Sequence, residues 1–124
     1  MNIAAKSIRP FIGAKNYTIS RSFYRDVGFE EISISEKLSY FYSGTFGFYL
    51  QDAYVKDWID NSMIFYEVDH LKSTLEYIQN LKLTEKYDNV RVSGIVYNNW
   101  GDEFFVHDPS GILWHFGKFK SKEI

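Results

Sequence analysis

The chain has 124 residues, 45% hydrophobic, 24% charged and 19% aromatic, with a formal net charge of −2. That size gives one domain with a proper core, and the charge provides no basic stripe to track phosphates, so nucleic acid is not an expected partner. No apolar run nears the roughly 18 residues of a membrane span, and the absence of cysteine removes any disulfide, thiolate metal site or cysteine nucleophile.

The N-terminal MNIAAKSIRPF carries no secretory h-region, which fits a cytoplasmic protein. Residues 6–12 read as a first strand, and Pro10, which cannot donate to a ladder, puts that strand at an edge or bulge. Asn16 is a good helix N-cap, and a helix follows to Val27 with Ile19, Phe23 and Val27 as its apolar repeat. Gly28 is its stop, with Phe29 folding back on the last turn. Short strands are expected over 29–35, 38–43 and 46–51, with Ser43-Gly44-Thr45 as the turn between the last two. Residues 52–61 are polar, contain Tyr54 and Trp58, show no clear period and read as a crossing segment. A strand over 62–68 leads to a second helix capped by Asp69, with Leu71, Leu75 and Ile78 as its stripe and its end near Asn80. Residues 82–89 read as polar loop, 90–97 as a strand bulged at Gly94, and 118–124 as a charged tail.

The stretch 98–117 is the most informative. Asp108-Pro109-Ser110-Gly111 matches a type I turn at each position, with Gly111 expected at positive φ, and predicts a three-residue hairpin loop with a bulge. That loop sets Phe105 opposite His115 and His107 opposite Leu113. One face then carries Phe104, Val106, Ile112, Trp114 and Phe116, all apolar. The other carries Glu103, Phe105, His107, Leu113 and His115, a mixed set suited to the wall of something wetter.

The order strand, helix, three strands occurs twice, separated by the crossing segment. The expected fold is α+β: paired βαβββ modules forming a mixed, curved sheet with helices on its outer face. Residues 1–51 make the first module, 52–61 the crossing and 62–124 the second, within one domain. Two half-sheets, each with a helix on one face, would leave their other faces to form a shared concavity. The 10 Tyr, 11 Phe and 3 Trp exceed what a core of this size hides. The surplus suits a stacking surface for a flat ligand or a subunit interface.

This duplicated unit resembles the vicinal oxygen chelate superfamily of glyoxalases, extradiol dioxygenases and bleomycin resistance proteins. The resemblance rests on Ser22-Phe23-Tyr24 followed by Val27-Gly28-Phe29, and on Asp108-Pro109-Ser110-Gly111 between the last strands. It is strongest to the bleomycin-binding resistance proteins, in Trp100-Gly101-Asp102-Glu103-Phe104 running into Asp108-Pro109 and Gly111 and ending at His115-Phe116.

Metal-dependent members of that superfamily take His, Gln or Glu ligands from the first and last strand of each module. The resemblance puts Arg9, Tyr49, Met63 and His115 at those positions, and a shift of one brings in only Gln51 or Asn61. Arg9 cannot ligate, Met63 is a poor partner for a hard ion and Tyr49 a rare one. The expectation is therefore no metal and no cofactor. Among the histidines, His70 follows a helix cap and faces solvent, while His107 lies near the turn, where it can bond backbone. His115 sits beside Phe105 and borders the concavity as a wall residue, with no nucleophile or paired carboxylate to make it a catalyst. His107 and Asp108 are adjacent on a strand, so their side chains point apart and form no dyad.

Other residues carry open alternatives. Trp100 offers a flat face to a ring or cation, or caps the core. Trp58, with Tyr54, forms a lip of the cleft or a packing contact. Arg9 reaches an acidic ligand group, or pairs with Glu103 or another carboxylate across a dimer. The reading is a binding protein rather than an enzyme. It sequesters a small aromatic or cationic compound, such as an antibiotic, on Arg9, Tyr49, Trp58, Met63, Trp100, Phe105 and His115, with no catalytic residue. The resemblance implies a homodimer with clefts at its interface and, in some members, a swapped N-terminal strand. Bleomycin-binding relatives present a strongly acidic cleft to a cationic drug, and a net charge of −2 departs from that. The other readings are a metal-dependent lyase or dioxygenase of the same superfamily, and a structural homologue that binds no ligand.

Overall fold

The computed structural model describes residues 3–121. In chain order the elements are β1 (Phe11–Gly13), α1 (Tyr17–Val27), β2 (Glu30–Ser35), β3 (Leu38–Ser43), β4 (Phe46–Gln51), α2 (Lys56–Asp60) and β5 (Met63–Glu67). They continue with α3 (Leu71–Asn80), α4 (Leu83–Lys86), β6 (Arg91–Val92), β7 (Val96–Tyr97), β8 (Gly101–His107) and β9 (Leu113–Phe119). The fold is α+β with mixed sheets, as the sequence pattern predicts. The sheet comes in two pieces: β1-β4-β3-β2, and β5-β9-β8-β6 with β7 also on β8. Each opens with a parallel pair, β1 on β4 and β5 on β9, and is otherwise antiparallel. No helix among the described residues is long and apolar enough to cross a membrane.

Local chemistry explains most boundaries. Asn16 caps α1 by accepting from the Ile19 amide at 3.1 Å, and the Gly28 amide closes it on Arg25 and Tyr24 carbonyls. The buried stripe of α1 is Tyr17, Ser20, Phe23 and Tyr24. Ile19, expected inside, lies one residue and so about 100° around from Ser20, and it is exposed. The stripe of α3 is Leu71, Leu75 and Ile78 as expected. Its N-cap is His70 rather than Asp69, and no side-chain bond caps it. Thr74 and Ser73 hydroxyls instead donate back to the His70 carbonyl.

Four other expectations need correction. The strand expected over 6–12 is paired only from Phe11, because Pro10 lends its carbonyl to Tyr49 but has no N–H to extend the ladder. Residues 3–10 lie exposed. The polar loop over 82–89 contains α4, whose Leu83 is buried, and Tyr87 ties it to α1 by bonding Asp26 and Ser22. The strand over 90–97 breaks into β6 and β7 around Gly94, where the Ser93 hydroxyl takes the Phe105 amide at 2.8 Å. The charged tail begins later than 118, since β9 runs to Phe119, and residues 122–124 lie outside the described residues.

The hairpin register is as read. Phe105 faces His115 and His107 faces Leu113 across β8 and β9. Gly111 has φ 106°, a backbone that a side chain would strain. Asp108 does more than start the turn. It is fully buried, and its Oδ1 accepts from the amides of Ser110, Gly111 and Ile112, each at 2.9 Å.

Each sheet turns its apolar face, with its helix, into one core. Phe41, Phe48 and Leu50 from the first sheet and Phe104, Val106, Trp114 and Phe116 from the second are buried there. Phe48 meets Trp114 at 5.3 Å between ring centroids, and Tyr24 packs against Phe23, Phe29, Phe41, Phe48 and Trp114. Because the helix-bearing faces share the core, the opposite faces look outward. Within one chain they do not close into a single concavity, and no ring contact among the described residues runs from one open face to the other.

Candidate functional site: two open aromatic faces

Alternation along the strands places Phe11, Tyr40, Tyr42 and Tyr49 on the open face of the first sheet, since Tyr40 is registered with Tyr49 and Phe11 with Tyr49. Their rings form a continuous row: Phe11 stacks on Tyr49 at 4.7 Å, Tyr49 meets Tyr40 at 5.3 Å, and Tyr40 stacks on Tyr42 at 5.5 Å. Tyr40 lies flat because the strand beneath it has no side chain at Gly47; a Cβ there would overlap the ring. Arg9, just before β1, lays its guanidinium over Tyr40 at 4.0 Å and donates from Nη1 to the Tyr49 hydroxyl at 3.1 Å. At the far end the neighbouring Glu30 carboxylate raises the Tyr42 hydroxyl pKa, first by its charge and then, after slight burial, by a hydrogen bond.

The second sheet repeats the device. Met63, Phe65, Phe105, His115 and Phe119 share its open face. Phe65 lies over Gly117, where a Cβ would again overlap the ring. Phe65 contacts Phe119 at 5.2 Å, Trp100 at 6.1 Å and His115 at 6.3 Å, and Phe105 meets His115 edge to face at 5.1 Å. The one carboxylate inside this cluster, Glu103, is 8% exposed and fully engaged. Its Oε1 pairs with His115 Nδ1 at 2.8 Å, and its Oε2 accepts from Asn98 Nδ2 at 3.0 Å.

At the other end of the same face, Arg91 sits opposite His107. These residues line a hollow of about 340 Å³ with Ser93, Phe105 and Leu113. Burial first, then the Arg91 charge, pushes the His107 pKa down, so the ring is held toward its neutral form. A larger cleft of about 580 Å³ lies between the β4 and β5 edges, lined by residues including Pro10, Phe46, Phe65 and Trp114.

The structure thus groups the predicted residues in two sets. Arg9 and Tyr49 come together on the first sheet. Met63, Trp100, Phe105 and His115 lie on the second, where Trp100 joins through Phe65. Trp58 joins neither: its indole is 64% exposed on α2, and the ring contacts of both faces omit it. Sequence reasoning missed Tyr40 and Phe65 together with the glycines beneath them. The available signal was a glycine inside a strand next to a row of rings, which marks a ring lying across backbone.

Of Arg9, Tyr49, Met63 and His115, the imidazole is the best donor: Glu103 bonds its Nδ1, an arrangement that orients the ring and leaves Nε2 as the atom that can ligate. Among the described residues no three His, Cys, Asp or Glu side chains gather to hold a metal ion.

No protein-family model and no curated protein matches the sequence. Solved structures do match. A bleomycin resistance determinant encoded on the transposon Tn5 aligns over 94% of this chain and 100% of its own, at TM-score 0.80 and 13% identity. A bleomycin-binding protein from bleomycin-producing Streptomyces verticillus, complexed with copper(II)-bleomycin, aligns over 90% of this chain and 96% of its own, at TM-score 0.75 and 22% identity. A lactoylglutathione lyase from Agrobacterium tumefaciens aligns over 97% and 98%, at TM-score 0.70 and 18% identity. The chain therefore shares the fold of these bleomycin-binding and lactoylglutathione lyase structures. Identities this low carry the fold and not the activity.

Proposed function

We propose that this protein is a metal-free small-molecule binding protein that sequesters an aromatic compound, of the antibiotic-binding kind, and that it acts as a homodimer. The observation that carries the reading is the paired platform, Tyr40 over Gly47 and Phe65 over Gly117. Tyr40 is itself only 9% exposed, held between Gly47 and the Arg9 guanidinium, and it sets the row that ends in the exposed Phe11 ring. Phe65, 41% exposed, lies open over Gly117 beside Trp100, and these exposed rings are the surface a planar ligand stacks on. The copper(II)-bleomycin complex of a structure with this fold supports a small-molecule ligand. The sequence pattern predicts no carboxylate beside His115, and the structure corrects this by pairing Glu103 with its Nδ1. The wall reading is kept because, among the described residues, no three potential metal ligands gather there.

The homodimer reading rests on the open faces. A single chain leaves Phe11, Met63 and Phe65 exposed on faces directed away from its core. Apposing the first face of one copy to the second face of another covers both and makes two equivalent clefts. The exposed stretch 3–9, with Ile8 96% exposed, suits exchange between copies.

A thermal-shift screen with bleomycin and a panel of planar aromatics, paired with metal analysis of the purified protein, tests the reading. A ligand at 100 times its Kd adds about 2.7 kcal/mol, a rise of several degrees in Tm. A stoichiometric metal that survives dialysis, or no shift across the panel, contradicts it.

A further inference from the structure

We infer that the ligand is an aromatic anion, a ring bearing a carboxylate or phosphate, with Arg9 as the group that holds its charge. This rests on the binding reading and sharpens it, because the sequence leaves an aromatic or a cationic ligand equally open.

The argument starts from what Arg9 is doing. Its guanidinium is fixed between the Tyr40 face and the Tyr49 hydroxyl, using one of five N–H donors. A guanidinium held in place by a ring loses less freedom when it meets a planar anion, and its free fork suits two parallel oxygens. No ion pair among the described residues includes Arg9. The acid proposed for it across a dimer, Glu103, is buried and has a partner on each oxygen, so it is not available. Glu30, an acid of the same sheet, is registered with Tyr42 at the other end of the ring row.

The second face carries a free arginine as well. Arg91, exposed and without an ion pair among the described residues, stands opposite His107 beside the Phe105 and Leu113 side chains. Glu67, exposed on the same face, is registered with Gly117 beneath the Phe65 ring, whereas Arg91 stands at the other end beside His107. On the first face the charged group left free beside the rings is therefore an arginine, and the second face offers Arg91 at the end away from Glu67. A ligand that stacks on Phe11 or Tyr42 brings its substituent to Arg9, and an ammonium there would meet a fixed positive charge in place of a partner.

A charge series on one ring system tests this: 2-naphthoate, 2-naphthyl phosphate, 2-naphthalenemethanol and 2-naphthylmethylamine, titrated calorimetrically into the full chain. The inference predicts that the two anions bind at least tenfold more tightly than the alcohol, and the amine most weakly; the anion that binds better separates carboxylate from phosphate recognition. Arg9→Gln should weaken the anions about ten- to a hundredfold and leave the alcohol within about threefold. Arg9→Lys should recover part of the loss. Arg9 is exposed and precedes the first paired strand residue, and circular dichroism of the variants checks the fold. If the amine or alcohol binds as well as the anions, the anion assignment is overturned while the binding reading stands. If Arg9→Gln dissociates a dimer but leaves anion affinity unchanged, the arginine serves the subunit contact and the assignment is overturned. If no probe binds, both readings fall.

Discussion

The Tyr24 hydroxyl donates to Asp108 Oδ2 at 2.6 Å in the centre of the core, joining α1 of the first half to the β8–β9 turn of the second. The same hydroxyl accepts from Trp114 Nε1 at 3.0 Å. With the three amides on Asp108 Oδ1, this makes one closed polar chain inside a ring-built core. Burial pushes the Asp108 carboxyl pKa up and the Tyr24 hydroxyl well up, with the hydrogen bonds to Asp108 working against its own shift.

Breaking this chain should be expensive. Tyr24→Phe strands the Trp114 N–H and removes the hydroxyl that donates to Asp108 Oδ2, a loss of about 2–4 kcal/mol. Asp108→Ala strands the Ser110 and Ile112 amides, while Gly111 keeps its bond to the Asp108 carbonyl, and should cost about 3–5 kcal/mol. Urea denaturation with an unchanged slope checks both values.

Acid should weaken the fold through Glu31. Burial tends to raise its pKa, but hydrogen bonds from Arg21, Ser39 and Arg25 and the Arg21 charge outweigh it and bring the pKa from 4.5 down to about 2. A depressed carboxylate contributes stability that is full above its unfolded value and is lost as pH falls toward the folded one. The contribution, about 1–3 kcal/mol after solvent screening of the partly exposed arginines, should therefore disappear between about pH 4.5 and 2. Glu31→Gln should flatten that part of the stability curve and lower stability at pH 7, measured by denaturation across the range.

Gly47→Ala tests the platform. The added Cβ occupies the space of the Tyr40 ring, which must swing away and take the Arg9 stack with it. We expect stability to fall by about 1–3 kcal/mol, and the 2-naphthoate Kd to rise at least tenfold. Retained affinity would separate the ring row from binding.

Ile8→Asp tests the subunit arrangement. In a lone chain Ile8 is solvent-exposed, so the change should leave stability within about 0.5 kcal/mol. In an assembly that packs residues 3–9 against a second copy, it should weaken self-association at least tenfold by sedimentation equilibrium.

The fold was legible because its strongest signals are local. A turn sequence of defined length fixed the β8–β9 register, and with it every residue's face. Asn16 and Gly28 marked a helix by backbone chemistry alone. The misses have equally physical origins. One apolar residue, Leu83, has no period to read, so α4 looked like loop. The strand expected before Phe11 stops because Pro10 accepts from Tyr49 but has no N–H to carry the ladder further. Asp108 read as a turn former, while its second oxygen depends on Tyr24, 84 residues away. The site was legible in its members more than in its arrangement. Alternation identified the mixed faces, but which faces share a core is a tertiary fact, and it divides Arg9 and Tyr49 from Met63, Trp100, Phe105 and His115.

The central claim is that the outward rings are the ligand site. Its most direct test is an aromatic side-chain NMR titration with 2-naphthoate and 2-naphthalenemethanol. The account predicts saturable shifts at Phe11, Tyr40, Tyr42 and Tyr49, with the core rings Phe23, Phe41 and Phe104 unmoved. Absence of saturable shifts with either compound, or shifts confined to the core rings, would contradict it.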